Sequence, residues 1–217
     1  MAIVGARPQF IKHFPFEKAC ENRLELKTIH TGQHYDANMS DIFFNQLGMK
    51  EPDYMLHIGS GNHGAQTARM MIEIEKIVEE EKPQGMVVYG DTNSTLAGAL
   101  VASKLHIPVF HIEAGLRSFN KEMPEEINRI LIDQISDFHF VTEKSGMDNL
   151  HEEGLVSTSD DPQIFVGNTM IDTLVKHSDE IESSRILSEL KMDDKNYCLC
   201  TMHRPSNVDN VEGVNFI

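Results

Sequence analysis

Residues 85–117 read GMVVYGDTNSTLAGALVASKLHIPVFHIEAGLR, and this stretch decides the fold class. Two short apolar runs, at residues 85–89 and 108–112, lie on either side of residues 92–105, which have the period of a helix and almost no polar face. A helix that is apolar nearly all round must be buried, and strands without polar alternation must be covered on both faces. The stretch therefore predicts a strand–helix–strand unit with parallel strands inside a layered α/β protein.

The same alternation extends in both directions along the chain. Each apolar run is followed by a polar or glycine-bearing turn and then by a segment of helical period, such as residues 64–81. This rhythm predicts a doubly wound parallel sheet of the Rossmann-like kind, with helices on both faces. The predicted strands are residues 2–4, 24–30, 85–89, 108–112, 138–141, 163–166 and 197–201.

The order of these elements also predicts the domain organisation. Residues 1–178 contain a complete alternation of strands and helices, which predicts one N-terminal domain. Residues 179–195 are charged and helical in pattern, and they lead into the apolar run at 197–201. We therefore expect residues 179–217 to form a connecting helix and the first strand–helix unit of a second, truncated domain.

Composition narrows the class of protein. The 217 residues carry 19 Lys and Arg against 34 Asp and Glu, for a formal net charge of −15. This acidic balance argues against binding to nucleic acid or to an anionic membrane surface, because both depend on clustered cations. No apolar run approaches the roughly 18 residues that span a bilayer, so we expect a cytoplasmic protein without membrane association. The three cysteines are too few for a disulfide framework, and we expect them to be reduced thiols.

Candidate functional residues follow the predicted strands. Ligands of open parallel sheets bind beyond the carboxyl ends of the strands, where this chain places two carboxylates, Asp91 and Glu113, and two cations, Arg7 and Lys12. The combination suits a phosphorylated ligand and proton transfer. Glu113 comes directly after a buried run, which suits a general base. Each of the others has a structural alternative, since Asp91 lies at a natural helix N-cap and the two cations would also suit a solvated surface.

A second candidate segment is PEEINR at residues 124–129, which predicts the start of a helix with acids in its first turn. Helical spacing places Glu125, Asn128 and Arg129 on one side, which could face the crevice. The predicted core face of the same helix consists of Ile127, Ile130, Leu131 and Ile135.

Three other patterns are weaker. The run GSGNHG at residues 59–64 fits the dinucleotide-binding expression, but it does not follow the first strand, so we expect no NAD site. His30 and His34 flank a strand end rather than sharing a helix face, so we expect no metal site. No context for a serine or cysteine nucleophile is visible. These observations favour chemistry without a metal, a redox cofactor or a covalent intermediate.

Seven blocks of the sequence, in order and spread over the whole chain, resemble the non-hydrolysing UDP-N-acetylglucosamine 2-epimerases of bacterial surface-polysaccharide synthesis. The set is far more specific than any single block. The blocks are GARPQFIK at 5–12, TGQH at 31–34, YGDTNST at 89–95, HIEAGLRS at 111–118, MPEEINR at 123–129, GNTMID at 167–172 and HRPSN at 203–207.

The resemblance implies a two-domain fold of the glycosyltransferase-B kind, of which this chain would supply the first lobe, with the nucleotide sugar bound between the domains. It implies epimerisation at carbon 2 of a UDP-2-acetamido sugar, by anti elimination of UDP and re-addition, without a cofactor or a metal. Carried over by residue, it assigns Asp91, Glu113, Glu125 and His203 to catalysis and Arg7, Lys12, Arg129, Gln33 and Asn168 to substrate binding.

Several alternatives stay open within this resemblance. Relatives that act on UDP-linked diacetamido uronic acids share the same blocks, and a hydrolysing epimerase would release the free sugar instead. The chain could also be catalytically incompetent alone, or be one lobe of a split protein with a separately encoded C-terminal partner. Family members resemble dimers built through this first domain, so we expect a homodimer.

Overall fold

Seven parallel strands form one sheet in the part of the chain that the structure describes. The computed structural model describes residues 1–33, 44, 46–156, 163–192 and 196–201, so His34 and His203 lie outside the described residues. The strand order is β3-β2-β1-β4-β5-β6-β7, which reverses direction beside β1 as a doubly wound sheet requires. The strands are β1 Ala2–Val4, β2 Thr28–His30, β3 Tyr54–Met55, β4 Met86–Tyr89, β5 Val109–Ala114, β6 Phe138–Val141 and β7 Gln163–Phe165.

Helices connect the strands, which confirms the predicted α/β class. They are α1 Arg7–Cys20, α2 His63–Glu81, α3 Asn93–Lys104, α4 Pro124–Ile135, α5 Lys144–Glu152, α6 Thr169–Lys176, α7 Ser178–Glu182 and α8 Ile186–Glu189. As its composition predicts, α3 is buried, and it packs on both α2 and α4. No helix among the described residues is long and apolar enough to cross a membrane.

The core lies on both sides of the sheet. One apolar cluster joins β1, β2 and β4 to α2 and α3, and it includes Ile3, Met70 and Val88. A second cluster lies under α1 and includes Phe10 and Tyr89. Together the two clusters fix the strand ends from which the site is built.

The chain divides into two compact units, Met1–His177 and Ser178–Ile217. In the second unit the structure differs from the predictions at two points. Of the helical stretch expected at residues 179–195, the described residues 179–192 contain two short helices, α7 and α8, with residues 183–185 between them. Residues 197–201 are exposed and not a strand, because a strand needs a hydrogen-bonded neighbour and none of the described strands pairs with them.

The predicted core face of α4 is also wrong in part. Ile127 and Leu131 are 47% and 45% exposed, whereas Ile132 is fully buried. The inward face carries buried polar groups, Asn128 and Asp133, that bond to the ends of β4 and β5. Apolar periodicity misplaces the face because polar side chains occupy part of the buried stripe.

His13 on α1 gives the fold an acid-sensitive contact. Burial, helped by the positive N-terminal amino group, lowers the pKa of His13 from 6.5 to about 4. Between pH 6.5 and 4 the unfolded chain therefore binds a proton at His13 while the folded chain does not. The folded state loses stability as the pH falls through that window. We expect this group to make the fold about 2–3 kcal/mol less stable at pH 4.5 than at pH 7. Urea unfolding at the two pH values measures the loss.

The control for this prediction is His13→Gln, which removes the titrating group. The ring of His13 lies 2.7 Å from the Tyr89 hydroxyl and 3.2 Å from Thr28 Oγ1, so the variant should be less stable at pH 7. It should lose less stability than the parent between pH 7 and 4.5. An equal loss in both proteins would contradict the assignment to His13.

Candidate active site

The carboxyl ends of β4 and β5 bring a carboxylate and an ammonium together. Glu113 lies near the end of β5, and Lys12 lies on the second turn of α1. Their side chains form an ion pair and are 19% and 11% exposed, respectively. Sequence analysis placed both residues at this edge but did not pair them with each other.

Glu113 has an unusual backbone. Its φ is 74°, in the left-handed region that non-glycine residues seldom adopt, and the pairing of β5 with β6 shifts register between Ile112 and Ala114. Such a bulge redirects a side chain at a strand end and costs about 1–3 kcal/mol of local strain. Strain of this kind is concentrated at functional sites.

Gly90, directly after β4, makes room for this carboxylate. Its φ is 62°, and a Cβ atom there would lie 2.9 Å from Glu113 Oε2 and 3.5 Å from Lys12 Nζ. Asp91 follows Gly90 in the chain, so the two candidate carboxylates belong to backbone segments that meet at Gly90.

Asp91 is held by Arg129 on α4. Arg129 Nε and Nη2 lie 2.9 Å and 2.8 Å from Asp91 Oδ2. Asn128 Nδ2 donates to the Asp91 carbonyl at 2.8 Å. The N-cap of α3 is Thr92, whose side chain accepts from Thr95 N, so the alternative interpretation of Asp91 as that cap is wrong.

Glu126 anchors the loop before α4, a role that sequence analysis missed. Its carboxylate accepts from the backbone N–H groups of Ser118 and Phe119, each at 2.9 Å, and from Arg129 Nη1 at 2.6 Å. Burial opposes ionisation of this group, but these hydrogen bonds hold the pKa of Glu126 below its ordinary value. The acids in the first turn of α4 were visible in the sequence, but their favourable interaction with the helix macrodipole explained them equally well.

The other predicted site residues are exposed or have partners of their own. Glu125 is exposed, and among the described residues no hydrogen bond or ion pair joins it to Asp91 or Glu113. Gln33 Oε1 accepts from Ser94 N and Oγ at 3.2 Å and 2.7 Å. Asn168 caps α6 through a 3.0 Å bond from Met170 N, and Arg7 is exposed at the first residue of α1. The structure thus forms two ion pairs among the predicted site residues, Lys12 with Glu113 and Arg129 with Asp91.

A buried polar network lies behind the site, and sequence analysis missed it. Asp133 on α4 accepts from Arg117 Nη1 at 2.7 Å and from Gly115 N at 3.1 Å. His111 Nδ1 lies 2.7 Å from Asp133 Oδ1, and His111 Nε2 lies 2.8 Å from the Gly90 carbonyl oxygen. Burial opposes the charge on Asp133, but His111 and Arg117 more than offset it and lower its pKa.

No group of three or more His, Cys, Asp or Glu side chains is placed to hold a metal ion within the described part of the chain. The fold and the geometry above define a class of protein. It is an α/β protein whose parallel sheet presents carboxylates paired with cations at its carboxyl edge, an arrangement suited to proton transfer on an anionic ligand.

Comparison with known proteins identifies the family. The family model described as UDP-N-acetylglucosamine 2-epimerase matches residues 18–217, and the chain belongs to this family. The resemblance seen in the seven sequence blocks is therefore confirmed, as is the fold of the first lobe, since the solved structures of this family superpose on the chain.

Individual relatives are similar over nearly the whole chain. A UDP-2,3-diacetamido-2,3-dideoxy-D-glucuronate 2-epimerase of Pseudomonas aeruginosa is 50% identical over 97% of this chain and 58% of its own length. A UDP-N-acetylglucosamine 2-epimerase of Methanocaldococcus jannaschii is 48% identical over 97% of this chain and 58% of its own length.

A crystal structure of the M. jannaschii enzyme, in complex with UDP-GlcNAc and UDP, matches with a TM-score of 0.89 and 46% identity. The match covers 99% of this chain and 59% of that one. This chain thus spans just under three fifths of the length of these relatives.

Proposed function

We propose that this chain provides the acid–base side of a site that inverts carbon 2 of a UDP-linked 2-acetamido sugar. The observation that carries the proposal is a pair of carboxylates on neighbouring backbone segments, each paired with a cation: Glu113, whose carboxylate lies beside Gly90, with Lys12, and Asp91, which follows Gly90 in the chain, with Arg129. Proton removal beside an anionic leaving group needs both kinds of residue at one edge.

The proposed reaction neither adds nor removes atoms overall, and it includes no redox step. One carboxylate removes the proton from carbon 2 as the bond from carbon 1 to the UDP oxygen breaks, which gives a 2-acetamidoglucal and UDP. A proton is then returned to the opposite face of carbon 2 while the bond between carbon 1 and UDP forms again. Glu113 and Asp91 are the proposed acid–base pair, with Glu125 as a third carboxylate and His203 as a phosphate-side contributor.

The ion pair of Lys12 with Glu113 supports this assignment. An ammonium beside the carboxylate neutralises it when no ligand is bound, and a diphosphate competes for the same ammonium when a nucleotide sugar binds. Charge-assisted bonds to phosphate are among the stronger hydrogen bonds in proteins. In this proposal substrate binding withdraws Lys12 and leaves Glu113 free to take a proton.

A UDP-diacetamido uronic acid is the second candidate substrate. The P. aeruginosa relative named for that sugar is 50% identical, against 48% for the M. jannaschii relative, so identity does not separate the two substrates. We further propose that the second compact unit begins a nucleotide-binding lobe, and that the protein acts as a homodimer. A separately encoded lobe remains the alternative to a continuous chain.

Deuterium incorporation tests the proposed function. We define the fusion protein as these 217 residues followed by the part of the M. jannaschii relative that lies beyond the matched region. Incubated with UDP-N-acetylglucosamine in deuterated water, the fusion protein should place deuterium at carbon 2 and form the manno epimer, and the 217-residue chain alone should do so far more slowly. The diacetamido uronic acid is tested in parallel.

Product analysis separates the remaining alternatives. Release of free N-acetylmannosamine would indicate a hydrolysing enzyme instead. A fusion protein that binds UDP but exchanges carbon 2 of neither sugar would contradict the proposal. Rapid exchange by the 217-residue chain alone would contradict the need for a second lobe.

Arg7 offers a direct test of phosphate binding at this edge. We expect Arg7→Ala to weaken binding of UDP by about 1.5–3 kcal/mol, because a charge-assisted bond to phosphate is lost. Isothermal titration of the fusion protein with UDP measures the change. Arg23→Ala is the matched control, since Arg23 is also exposed but follows the opposite end of α1. Equal UDP affinity in all three proteins would remove Arg7 from the site.

A further inference from the structure

The buried carboxylate of Asp133 contacts both sides of the segment that carries Glu113. We propose that Asp133 is a positioning residue, which holds the backbone on both sides of Glu113 and, through His111, the backbone beside Asp91. The inference rests on the function proposed above, because it takes Glu113 and Asp91 to be the working carboxylates.

Both oxygens of Asp133 are used. Oδ1 faces His111, two residues before Glu113, and Oδ2 accepts from Gly115 N, two residues after it. Arg117 Nη1 adds a third contact, to Oδ2 at 2.7 Å. Because Glu113 has a strained backbone between these two anchors, the strand end can relax only if one of the anchors is released.

His111 carries the same restraint to the neighbouring strand. Its second ring nitrogen faces the Gly90 carbonyl oxygen, and Gly90 precedes Asp91 directly. Both ring nitrogens thus face acceptors, and only an imidazolium, which carries a proton on each nitrogen, donates to both. The geometry therefore assigns a positive charge to His111.

The surrounding charges balance this assignment. Two cations, His111 and Arg117, alternate with two carboxylates, Asp133 and Glu153, and Arg117 makes two bonds of 2.6 Å to Glu153. The side chains of His111 and Asp133 are fully buried. A buried charge needs a partner of this kind, so the imidazolium is consistent with the environment.

The main chain of Asp133 also has a contact, which fixes the position of this residue. His139, which pairs with His111 in the sheet register, lies with Nε2 2.9 Å from the Asp133 carbonyl oxygen. This contact fixes the main chain of Asp133 on α4, and with it the position of the carboxylate relative to β5. Replacement by asparagine keeps the shape but offers one acceptor oxygen and a donor NH₂ group, so it cannot satisfy both sides of Glu113.

Nuclear magnetic resonance of the 217-residue chain, without ligand, tests the proposal. With ¹⁵N-labelled histidine at pH 7, we expect His111 to show protons on both ring nitrogens. In Asp133→Asn we expect the Nδ1 proton signal to be lost and the amide signals of Gly90, Asp91, Glu113 and Gly115 to shift. A His111 ring with a single proton in the parent chain would overturn the assignment, even if the variant failed to fold.

Asp137→Asn is the matched control. Asp137 Oδ2 accepts from Val109 N at 2.8 Å, so it holds the opposite end of the same strand. In Asp137→Asn we expect only the amide signals of residues near Val109 to shift, and those of Asp91 and Glu113 to stay unchanged. The amide signal of Glu113 could shift equally in both variants, or not shift at all in Asp133→Asn. Either result would show that Asp133 is not a positioning residue for the site.

The experiment separates this proposal from the proposed function. The resonance signals are measured without a substrate, so they do not depend on the reaction. If they follow the expectation while the fusion protein exchanges no carbon-2 proton, only the proposed function fails. If exchange proceeds while Asp133→Asn leaves Asp91 and Glu113 unmoved, only the positioning role fails.

Discussion

Glu113→Gln should fold normally and lose about 10²–10⁴-fold in the rate of carbon-2 exchange, the scale expected when a general acid or base is removed. Glutamine keeps the volume of the side chain and can still accept a hydrogen bond from Lys12, but it cannot take a proton from carbon. The fusion protein in deuterated water gives the rate, and circular dichroism shows whether the fold is retained.

Asp91→Asn should have an effect on the same scale, because the second carboxylate serves the opposite face of carbon 2 in the proposed reaction. Glu73→Gln is the matched control, since Glu73 is a partly exposed carboxylate on α2 that pairs only with Lys76 among the described residues. Near-normal exchange in both site variants would exclude them as the acid–base pair.

Gly115→Ala should destabilise the chain by about 2–5 kcal/mol, which combines left-handed backbone strain with overpacking. The φ of Gly115 is 81°, and an added Cβ would clash with the Gly146 carbonyl oxygen and lie 2.8 Å from its carbon and 2.9 Å from Leu150 Cγ. The clashing atoms belong to the backbone and to a fully buried side chain on α5, so neither can move away cheaply. Urea unfolding of the 217-residue chain measures the loss.

Gly154→Ala is the control that separates strain from crowding. Gly154 also has a left-handed backbone, with a φ of 72°, but an added Cβ there meets no atom within 4 Å. We expect it to cost only about 1 kcal/mol. Equal costs at the two glycines would mean that the contact between β5 and α5 is looser than the structure describes.

The strand–helix rhythm was predictable because it depends on local patterns. Residues 85–89 and 108–112 differ from β4 and β5 by at most two residues at either end, since buried parallel strands are continuous apolar runs. The placement of Asp91, Glu113, Arg7 and Lys12 after the ends of their strands follows from the same rhythm, because parallel strands all end on one side of the sheet.

The buried polar contacts were not predictable. The sequence pattern did not single out Asp133 and placed Ile127 in the core, yet Asp133 is fully buried and Ile127 is half exposed. A periodic pattern shows which residues share a helix face, but it does not show that a neighbouring strand end presents donors to that face. Only the packing of α4 against β5 makes a buried carboxylate favourable there.

The sequence by itself determined the fold class and the family, together with the edge of the sheet at which the proposed site lies, because these depend on short periodic runs and on residues adjacent in the chain. Only the tertiary structure decided that Lys12 pairs with Glu113, that Arg129 pairs with Asp91, and that Asp133 contacts residues on both sides of Glu113. The physical reason is distance along the chain. Side chains up to about a hundred residues apart interact only after the sheet has formed, and burial then determines which of them must be paired.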